Sequence, residues 1–307
     1  VNEFWYIIAN PVSGNGALEK RWPQIERILQ ELGFNYTVKF TERRGQAARL
    51  AEDAILKGHR HILGIGGDGT NYEIVNGIFG QQFAAPADVF YSLLPVGTGN
   101  DWARMYDIPH DPRQRLERLK AGKTVLQDIG IVHFMRDGAP QQRFFANVAG
   151  MAYDAFIARE MDAQRGRITS RLQYLAQVAK HLFRYKLSEA RIAFDGHTAQ
   201  DFFYTVNIGL CRYSGGGMQF VPQAVPDDGL FALTFARQLP KWKVLALTPR
   251  FYDGSLLSHP RVEGFQAKEI RVEHIGDIPT LVEADGEFLG ETPASFFLLE
   301  KALRVVL

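Results

Sequence analysis

Cysteine is almost missing from this chain of 307 residues, with Cys211 standing alone. A single thiol cannot close a disulfide within the chain, which favours a reducing compartment and sets the expectation of a cytoplasmic protein. Long apolar runs are missing too. No stretch approaches the roughly 20 residues that cross a bilayer, so no transmembrane segment is expected and any lipid would have to be met from the water side. The segment VNEFWYIIAN carries no basic residues ahead of its short apolar stretch, so it does not have the pattern of a secretory leader. A formal net charge of only +1 gives no whole-molecule argument for a nucleic-acid partner. GxxxxGK[ST] occurs nowhere, which excludes a Walker-type loop. What the chain does have is 46% hydrophobic residues, enough for the cores of two ordinary globular domains.

The first third repeats one kind of unit. FWYIIAN, HILGI and VFYSLL are short, apolar and rich in β-branched or aromatic residues, as buried parallel strands are, and NYTVKFT supplies a fourth strand. Three glycine-bearing loops follow the first three: NPVSGNG (Asn10 to Gly16), GGDGT (Gly66 to Thr70) and PVGTGND (Pro95 to Asp101). Each runs into a helical pattern, in ALEKRWPQIERILQELG, NYEIVNGIF and WARMY. Alternating strands and helices imply a doubly wound α/β sheet with its ligand at the carboxyl ends of the strands, so all three loops are expected on one edge.

Such loops suit phosphate. Glycine lets successive backbone N–H groups converge on an anion, and the helix that follows adds its positive end. Asp68 is the odd member, because a carboxylate beside polyphosphate repels it unless a cation or a transferable proton intervenes. That points to Mg²⁺ and group transfer, with Asp101 as a second carboxylate on the same edge. A single glycine-rich turn is ordinarily just a tight connection, and Asp or Thr there an ordinary helix cap; three such loops together point to a nucleotide site. GIGGDG also matches GxGxxG, with Asp88 about 20 residues on as a dinucleotide fold would want. However, Asp88 precedes the next strand instead of ending it, and Gly64 falls inside the preceding strand, which weakens a dehydrogenase reading.

NPVSGNG, GGDGTNYE and PVGTGNDWAR, in this order and at these separations, resemble the catalytic domain of the diacylglycerol kinase and sphingosine kinase superfamily, in its soluble bacterial lipid-kinase branch, a relative of the ATP-NAD kinases. The resemblance covers essentially the whole chain. It implies an ATP site at Asn10, Pro11, Val12, Ser13 and Gly14, at Thr41 heading TERRGQA, at Gly66, Gly67, Asp68, Gly69, Thr70, Asn71 and Tyr72, and at Thr98. It further implies that Asp68 organises Mg²⁺ and the γ-phosphate, with Asp101 and Asp128 of VLQDIG in the same carboxylate network. A lone Asp at a strand end, such as Asp128, is otherwise commonly a cap.

After Asp128 the pattern turns strand-rich, which predicts a β-sandwich-like second domain over residues 129–291 after a first domain of 1–128. A long helical pattern over about 155–186 and a shorter one near KWKVLALTPRFY interrupt it. The resemblance returns residues 292–307 to the first domain or the junction. In VPDDGLF it implies a structural Mg²⁺ held by Val225, Asp228 and Leu230, where the sequence alone needs only a turn. In EADGEFLG a hairpin turn is the default, and the resemblance makes Glu287 the proton acceptor of phosphoryl transfer, with Asp68 as the rival.

The acceptor end is marked by AFIAREMDAQRGRITSRLQYLAQVAKHLFRYK, with Arg159, Arg165, Arg167, Arg171, Lys180, Arg184 and Lys186 against Leu172, Leu175, Val178, Ala179 and Leu182 at helical spacing. Such a helix can rest on anionic lipid or simply pack on its own domain. RYSGGGMQFVP reads as a glycine loop without assignable chemistry. Three readings stand: an ATP- and Mg²⁺-dependent kinase of diacylglycerol or a related lipid, peripheral at the inner membrane surface; a kinase of a soluble acceptor such as NAD; and a non-catalytic nucleotide- or lipid-binding regulator. The carboxylate set Asp68, Asp101 and Glu287 argues against the last. The oligomeric state stays open, a homodimer being one option.

Overall fold

The computed structural model describes residues 3–163 and 171–307. The chain divides into two units, Val1–Asp128 with Lys301–Leu307, and Ile129–Glu300.

The first unit runs β1 (Phe4–Ala9), α1 (Ser13–Glu31), β2 (Asn35–Phe40), α2 (Gln46–Leu56), β3 (His61–Gly66), α3 (Asp68–Gly80), β4 (Phe90–Pro95), α4 (Asp101–Met105), α5 (Pro112–Lys120) and the start of β5 (Thr124–Arg136). Its strands pair in parallel in the order β2-β1-β3-β4, and Arg304 and Val305 near the chain end add a fifth strand beside Phe90 and Tyr91. Period-two alternation sends Trp5, Ile7, Ala9, Leu63, Ile65 and Leu94 to one face, where Ile25 and Leu29 of α1 and Leu116 and Leu119 of α5 bury them. On the opposite face Gly64 has no room for a side chain, since a Cβ there would lie 2.8 Å from Ile74 of α3. Helix α3 approaches α2 just as closely: a Cβ on Gly77 would sit 2.3 Å from the Ala48 carbonyl oxygen. Helices on both faces make this the doubly wound sheet expected. The strand order reverses between β1 and β3, the crevice where such sheets bind ligands.

The chain end is held by a buried cation. Arg115 of α5 is fully buried, donates from Nε to the Leu93 carbonyl (2.8 Å) and from Nη2 to the Val306 carbonyl (2.9 Å), and also contacts Ser92 Oγ. Burial pulls its pKa down to about 10, so it stays charged at neutral pH.

The second unit contains the remainder of β5, then β6 (Ala139–Phe145), β7 (Val148–Ala152), α6 (Tyr153–Asp162), α7 (Arg171–Leu182), β8 (Glu189–Phe194), β9 (His197–Gly209), β10 (Tyr213–Ser214), β11 (Met218–Gln219), β12 (Phe231–Arg237), α8 (Lys241–Ala246), α9 (Thr248–Asp253), β13 (Val262–Ala267), β14 (Glu269–Ile275), β15 (Leu281–Ala284) and most of β16 (Glu287–Val306). Two long strands, β9 and β16, bridge the others. Residues 197–202 of β9 pair with β8 and its remainder with β7; residues 287–291 of β16 pair with β15 and residues 294–297 with β14. With β15 on β7 and β14 on β8, the antiparallel pairings close a circuit, and β12 and β13 extend it from β9. Within this unit Phe145 stacks on Phe231 and meets Phe296 edge to face.

Several expectations change in detail. The helical pattern over 155–186 is divided between α6 and α7; Arg165 and Arg167 lie outside the described residues. KWKVLALTPRFY breaks into α8 and α9, because Pro249 has no N–H to continue a helix and instead sits in the first turn of α9. RYSGGGMQFVP is a tight hairpin of β10 on β11 with Gly215, Gly216 and Gly217 all at positive φ. The returning segment is Lys301–Leu307, while residues 292–300 stay in the second unit, in part through their pairing with β14. Among the described residues no helix is long and apolar enough to cross a membrane.

Replacing Arg115 by Met keeps the aliphatic stem but leaves buried carbonyls short of a donor. The expected cost is about 3 kcal/mol, read as a lower urea midpoint.

Candidate active site

The three glycine loops of the first unit meet. Asn10, just past β1, donates from Nδ2 to Thr70 Oγ1 (3.2 Å), joining the first loop to the second. A Cβ on Gly14 would lie 2.4 Å from the Val96 carbonyl oxygen, so the first loop lies against the third. Gly67 and Gly97 touch backbone to backbone: a Cβ on Gly97 would be 2.7 Å from the Gly67 Cα. Gly14, Asn15 and Gly16 are all left-handed, with φ of 62°, 59° and 81°, a run that suits glycine and, next best, asparagine.

The carboxylates lie at the same place. A Cβ on Gly99 would be 2.8 Å from Asp68 Oδ2 and 3.6 Å from Asp101 Oδ2, so both acids border one glycine. The Trp102 amide donates to Asp68 Oδ1 at 3.4 Å. Asp68 opens α3 and Asp101 opens α4, so each carboxylate sits at the positive end of a helix. Asn100, left-handed at φ 52°, donates from Nδ2 to the Gly97 carbonyl (2.6 Å), and its buried Oδ1 has no hydrogen-bond partner among the described residues. Two carboxylates and an unengaged amide oxygen are hard donors, the kind Mg²⁺ takes while keeping several waters and phosphate oxygens. The residues therefore fit that ion.

The other expected nucleotide residues divide. Pro11, Val12, Ser13, Gly14, Gly67, Gly69 and Thr98 reach the surface, whereas Thr41, Gly66, Thr70, Asn71 and Tyr72 are buried. Asn71 Oδ1 accepts from the Tyr91 hydroxyl (2.7 Å), tying it into the core, and the Thr41 amide extends the strand pairing to Ala9. Asp128 is fully buried, its Oδ1 accepting from the amide of Lys301 (2.6 Å). Glu73 is a residue that sequence reasoning passes over: its carboxylate accepts from the amides of Gly45 (2.8 Å) and Ala47 (3.0 Å), holding the TERRGQA turn to α3. Nothing in the local pattern signals a partner 28 residues away.

In the second unit, Asp285 (φ 51°) and Gly286 (φ 82°) form the two-residue turn between β15 and β16, where Ala284 faces Glu287. Asp285 is far from a bare turn residue. Its carboxylate accepts from the amides of Ala146 (3.0 Å), Asn147 (3.0 Å) and Val148 (3.1 Å), and Glu283 Oε2 accepts from the Gly286 amide (2.8 Å). Glu287 is 9% exposed beside this acid group. Asp154, next in line, accepts from Thr205, which accepts in turn from Asn207 (2.7 Å). Burial pushes Asp154 and Asp285 up to about 6 and Glu283 well above the usual carboxylate range, the neighbouring acids adding to the rise in Asp285 and Glu283. Asp228 lies elsewhere, its Oδ1 accepting from the Leu230 amide (3.0 Å) and its Oδ2 from Gln266 (3.2 Å). Among the described residues no three His, Cys, Asp or Glu side chains gather as a metal-holding group.

Comparison with known proteins decides the family. Residues 5–132 match the diacylglycerol kinase catalytic domain, and residues 147–307 match the YegS C-terminal NAD kinase beta sandwich-like domain. The chain belongs to the diacylglycerol kinase-like family. It is a kinase-family protein, 28% identical over 299 residues to the diacylglycerol kinase of Staphylococcus aureus strain bovine RF122 / ET3-1, covering 97% of this chain and 90% of that protein. The same protein of strain Newman matches at the same identity and coverage. Among solved structures, a diacylglycerol kinase from Bacillus anthracis strain Sterne shares the fold at a TM-score of 0.74 and 20% identity, over 99% of this chain and 96% of that one. A yeast NADH kinase complexed with NADH is a more distant fold relative, with a TM-score of 0.51 and 12% identity over 99% of this chain and 82% of that one.

Two outcomes follow. A methyl group at position 97 would collide with the Gly67 backbone, so Gly97→Ala is expected to weaken nucleotide binding at least about 10-fold by calorimetry, loop displacement of this size being worth a kcal/mol or more. Since the folded-state pKa values of Asp154 and Asp285 rise from 3.8 to about 6, the folded protein holds more protons than the unfolded chain across that window. Stability from these groups is present at low pH and falls as pH climbs towards 6. Asp154→Asn removes one such group, and its melting temperature is expected to decline less than that of the unaltered protein between those pH values.

Proposed function

We propose that this protein is an ATP- and Mg²⁺-dependent lipid kinase that transfers the γ-phosphate to a hydroxyl of diacylglycerol or a related lipid at the inner membrane surface. The observation that carries this reading is the meeting of three glycine loops with Asp68 and Asp101 around Gly99. Backbone amides and two helix starts favour polyphosphate, and two carboxylates in the same place favour a nucleotide that arrives with its cation. The family relatives named diacylglycerol kinase support a lipid acceptor.

Phosphoryl transfer asks for alignment, charge neutralisation and a place for the proton of the attacking hydroxyl. Asn10, Gly14, Gly67 and Thr98 would line the phosphate path, and Asp68 and Asp101, with Asn100 Oδ1, would hold Mg²⁺. When bound, the ion supplies countercharge to the phosphates. Glu287 takes the proton in this reading. Its neighbours Glu283 and Asp285 are held above the usual carboxylate range by burial and by nearby acids, Glu287 among them. Glu283 and Asp285 hold the turn that carries it. Kinase action on a soluble acceptor is the second reading, favoured by the NAD kinase-like match of residues 147–307.

The test is transfer from γ-labelled ATP with Mg²⁺ into mixed micelles of diacylglycerol, monoacylglycerol, ceramide, sphingosine or phosphatidylglycerol, with NAD offered in a parallel aqueous assay. A labelled lipid is expected. Label in NAD alone would transfer the protein to the second reading. Glu287→Gln is expected to lower kcat by about 100-fold or more with ATP affinity unchanged, the usual scale for loss of a general base. Turnover close to normal would remove Glu287 from the mechanism.

A further inference from the structure

Exposed large apolar side chains cluster at one place in the second unit. Trp242 is 65% exposed, Phe183 61% and Leu245 37%. Phe183 lies just past the end of α7, and Trp242 and Leu245 lie on α8. Lys241 joins these segments, its Nζ donating to the carbonyls of Phe183 (2.8 Å) and Tyr185 (3.2 Å). Val244 packs inward with Val178, Tyr185 and Tyr204, so α8 is seated on the unit by one side. Trp242, Leu245 and Ala246, at i, i+3 and i+4, share the side left to solvent.

The charged side chains of these two segments are all of one sign. No Asp or Glu occurs from Arg171 through Ser188 or from Gln238 through Tyr252, although acids and bases are nearly equal in the whole chain, 34 against 35. Lys180, Arg184, Lys186 and Lys243 are exposed there. Lys243 Nζ lies 5.4 Å from the Trp242 ring centre. An indole and a phenyl ring left in water among lysines and arginines are poorly suited to solvent. They match the boundary of an anionic bilayer, where rings sit at headgroup depth and each base near the surface adds attraction.

We propose that the α7 terminus and α8 form the surface by which this protein docks on anionic membrane, with Trp242 and Phe183 entering the headgroup layer and Arg184, Lys186 and Lys243 facing lipid phosphates. This rests on the lipid-kinase reading, which it extends by assigning the docking face.

The experiment adds mixed phosphatidylglycerol–phosphatidylcholine vesicles to the full chain and follows tryptophan emission, sedimentation and quenching by brominated acyl chains. Trp5 and Trp102 are buried and Trp22 is half-buried in the first unit, so Trp242 is the well-exposed reporter. A blue shift and bromine quenching are expected, both lost in Trp242→Phe, while Trp242→Ala with Phe183→Ala sheds vesicle binding. Arg184→Gln with Lys243→Gln is expected to weaken binding about 25-fold, near 5-fold for each base. Phosphorylation of a short-chain diacylglycerol below its micelle concentration should be unchanged in all these variants, which shows that they fold. Binding untouched by the variants, equal binding to pure phosphatidylcholine, or concentration-dependent dimerisation abolished by Trp242→Ala without vesicle binding would each overturn the docking surface. Absence of any lipid phosphorylation, monomeric or vesicular, with vesicle binding through Trp242 intact, would instead overturn the lipid-kinase reading alone.

Discussion

Gly67 and Gly97 lie against each other, a Cβ on Gly97 falling 2.7 Å from the Gly67 Cα and one on Gly67 3.1 Å from the Gly97 Cα, and the geometry of the nucleotide loops depends on that approach. Strand β3 ends at Gly66 and β4 at Pro95, paired neighbours in a parallel sheet, so their loops leave the same edge one strand spacing apart. Any side chain between them would push the loops apart and separate Asp68, at the head of α3, from Asp101, at the head of α4. The glycines are therefore steric as well as conformational: φ is positive at Gly14 and Gly16, but at Gly97 it is the closeness of the Gly67 backbone that excludes a side chain.

The second unit solves a different problem, which is how to place a carboxylate on a two-residue turn and keep it still. Three amides from residues 146–148 hold Asp285, and Glu283 reaches forward to Gly286, so the turn that leads into Glu287 is bonded at both of its central residues. Gathering acids in a buried place favours the protonated form of some of them. That is why Asp154, Glu283 and Asp285 all sit above their ordinary range, and why this corner couples folding to pH.

Much of the first unit is legible in the sequence, because its signals are local: apolar strands of about six residues, glycine clusters and amphipathic helices recur at short range. Asn71 and Asp128 show what lies beyond it: motif resemblance places Asn71 with the nucleotide and Asp128 in the carboxylate network, and only the structure adds that Asn71 engages the buried Tyr91 hydroxyl and Asp128 the Lys301 amide. The helical pattern over 155–186 reads as one helix, whereas α6 ends at Asp162 and α7 starts at Arg171. Glu73, although it closes the GGDGTNYE motif, and Asp154 carry no local signal of the partners they hold. Their partners lie 26 to 28 and 51 residues away, and no composition rule reaches so far.

By itself the sequence determined the α/β class of the first unit, the strand-rich character of the second, the three loops and their order, and the turn at Asp285 and Gly286. Each depends on backbone preferences and hydrophobic periodicity that act over a few residues. Only the tertiary structure decided that the loops touch, that Asp68 and Asp101 share the space beside Gly99, that β9 and β16 close a circuit with β7, β8, β14 and β15, and that Trp242 and Phe183 stay in solvent. Those facts depend on which surfaces meet after the chain has folded back across tens to hundreds of residues, where steric exclusion and desolvation choose among arrangements that the local sequence allows equally.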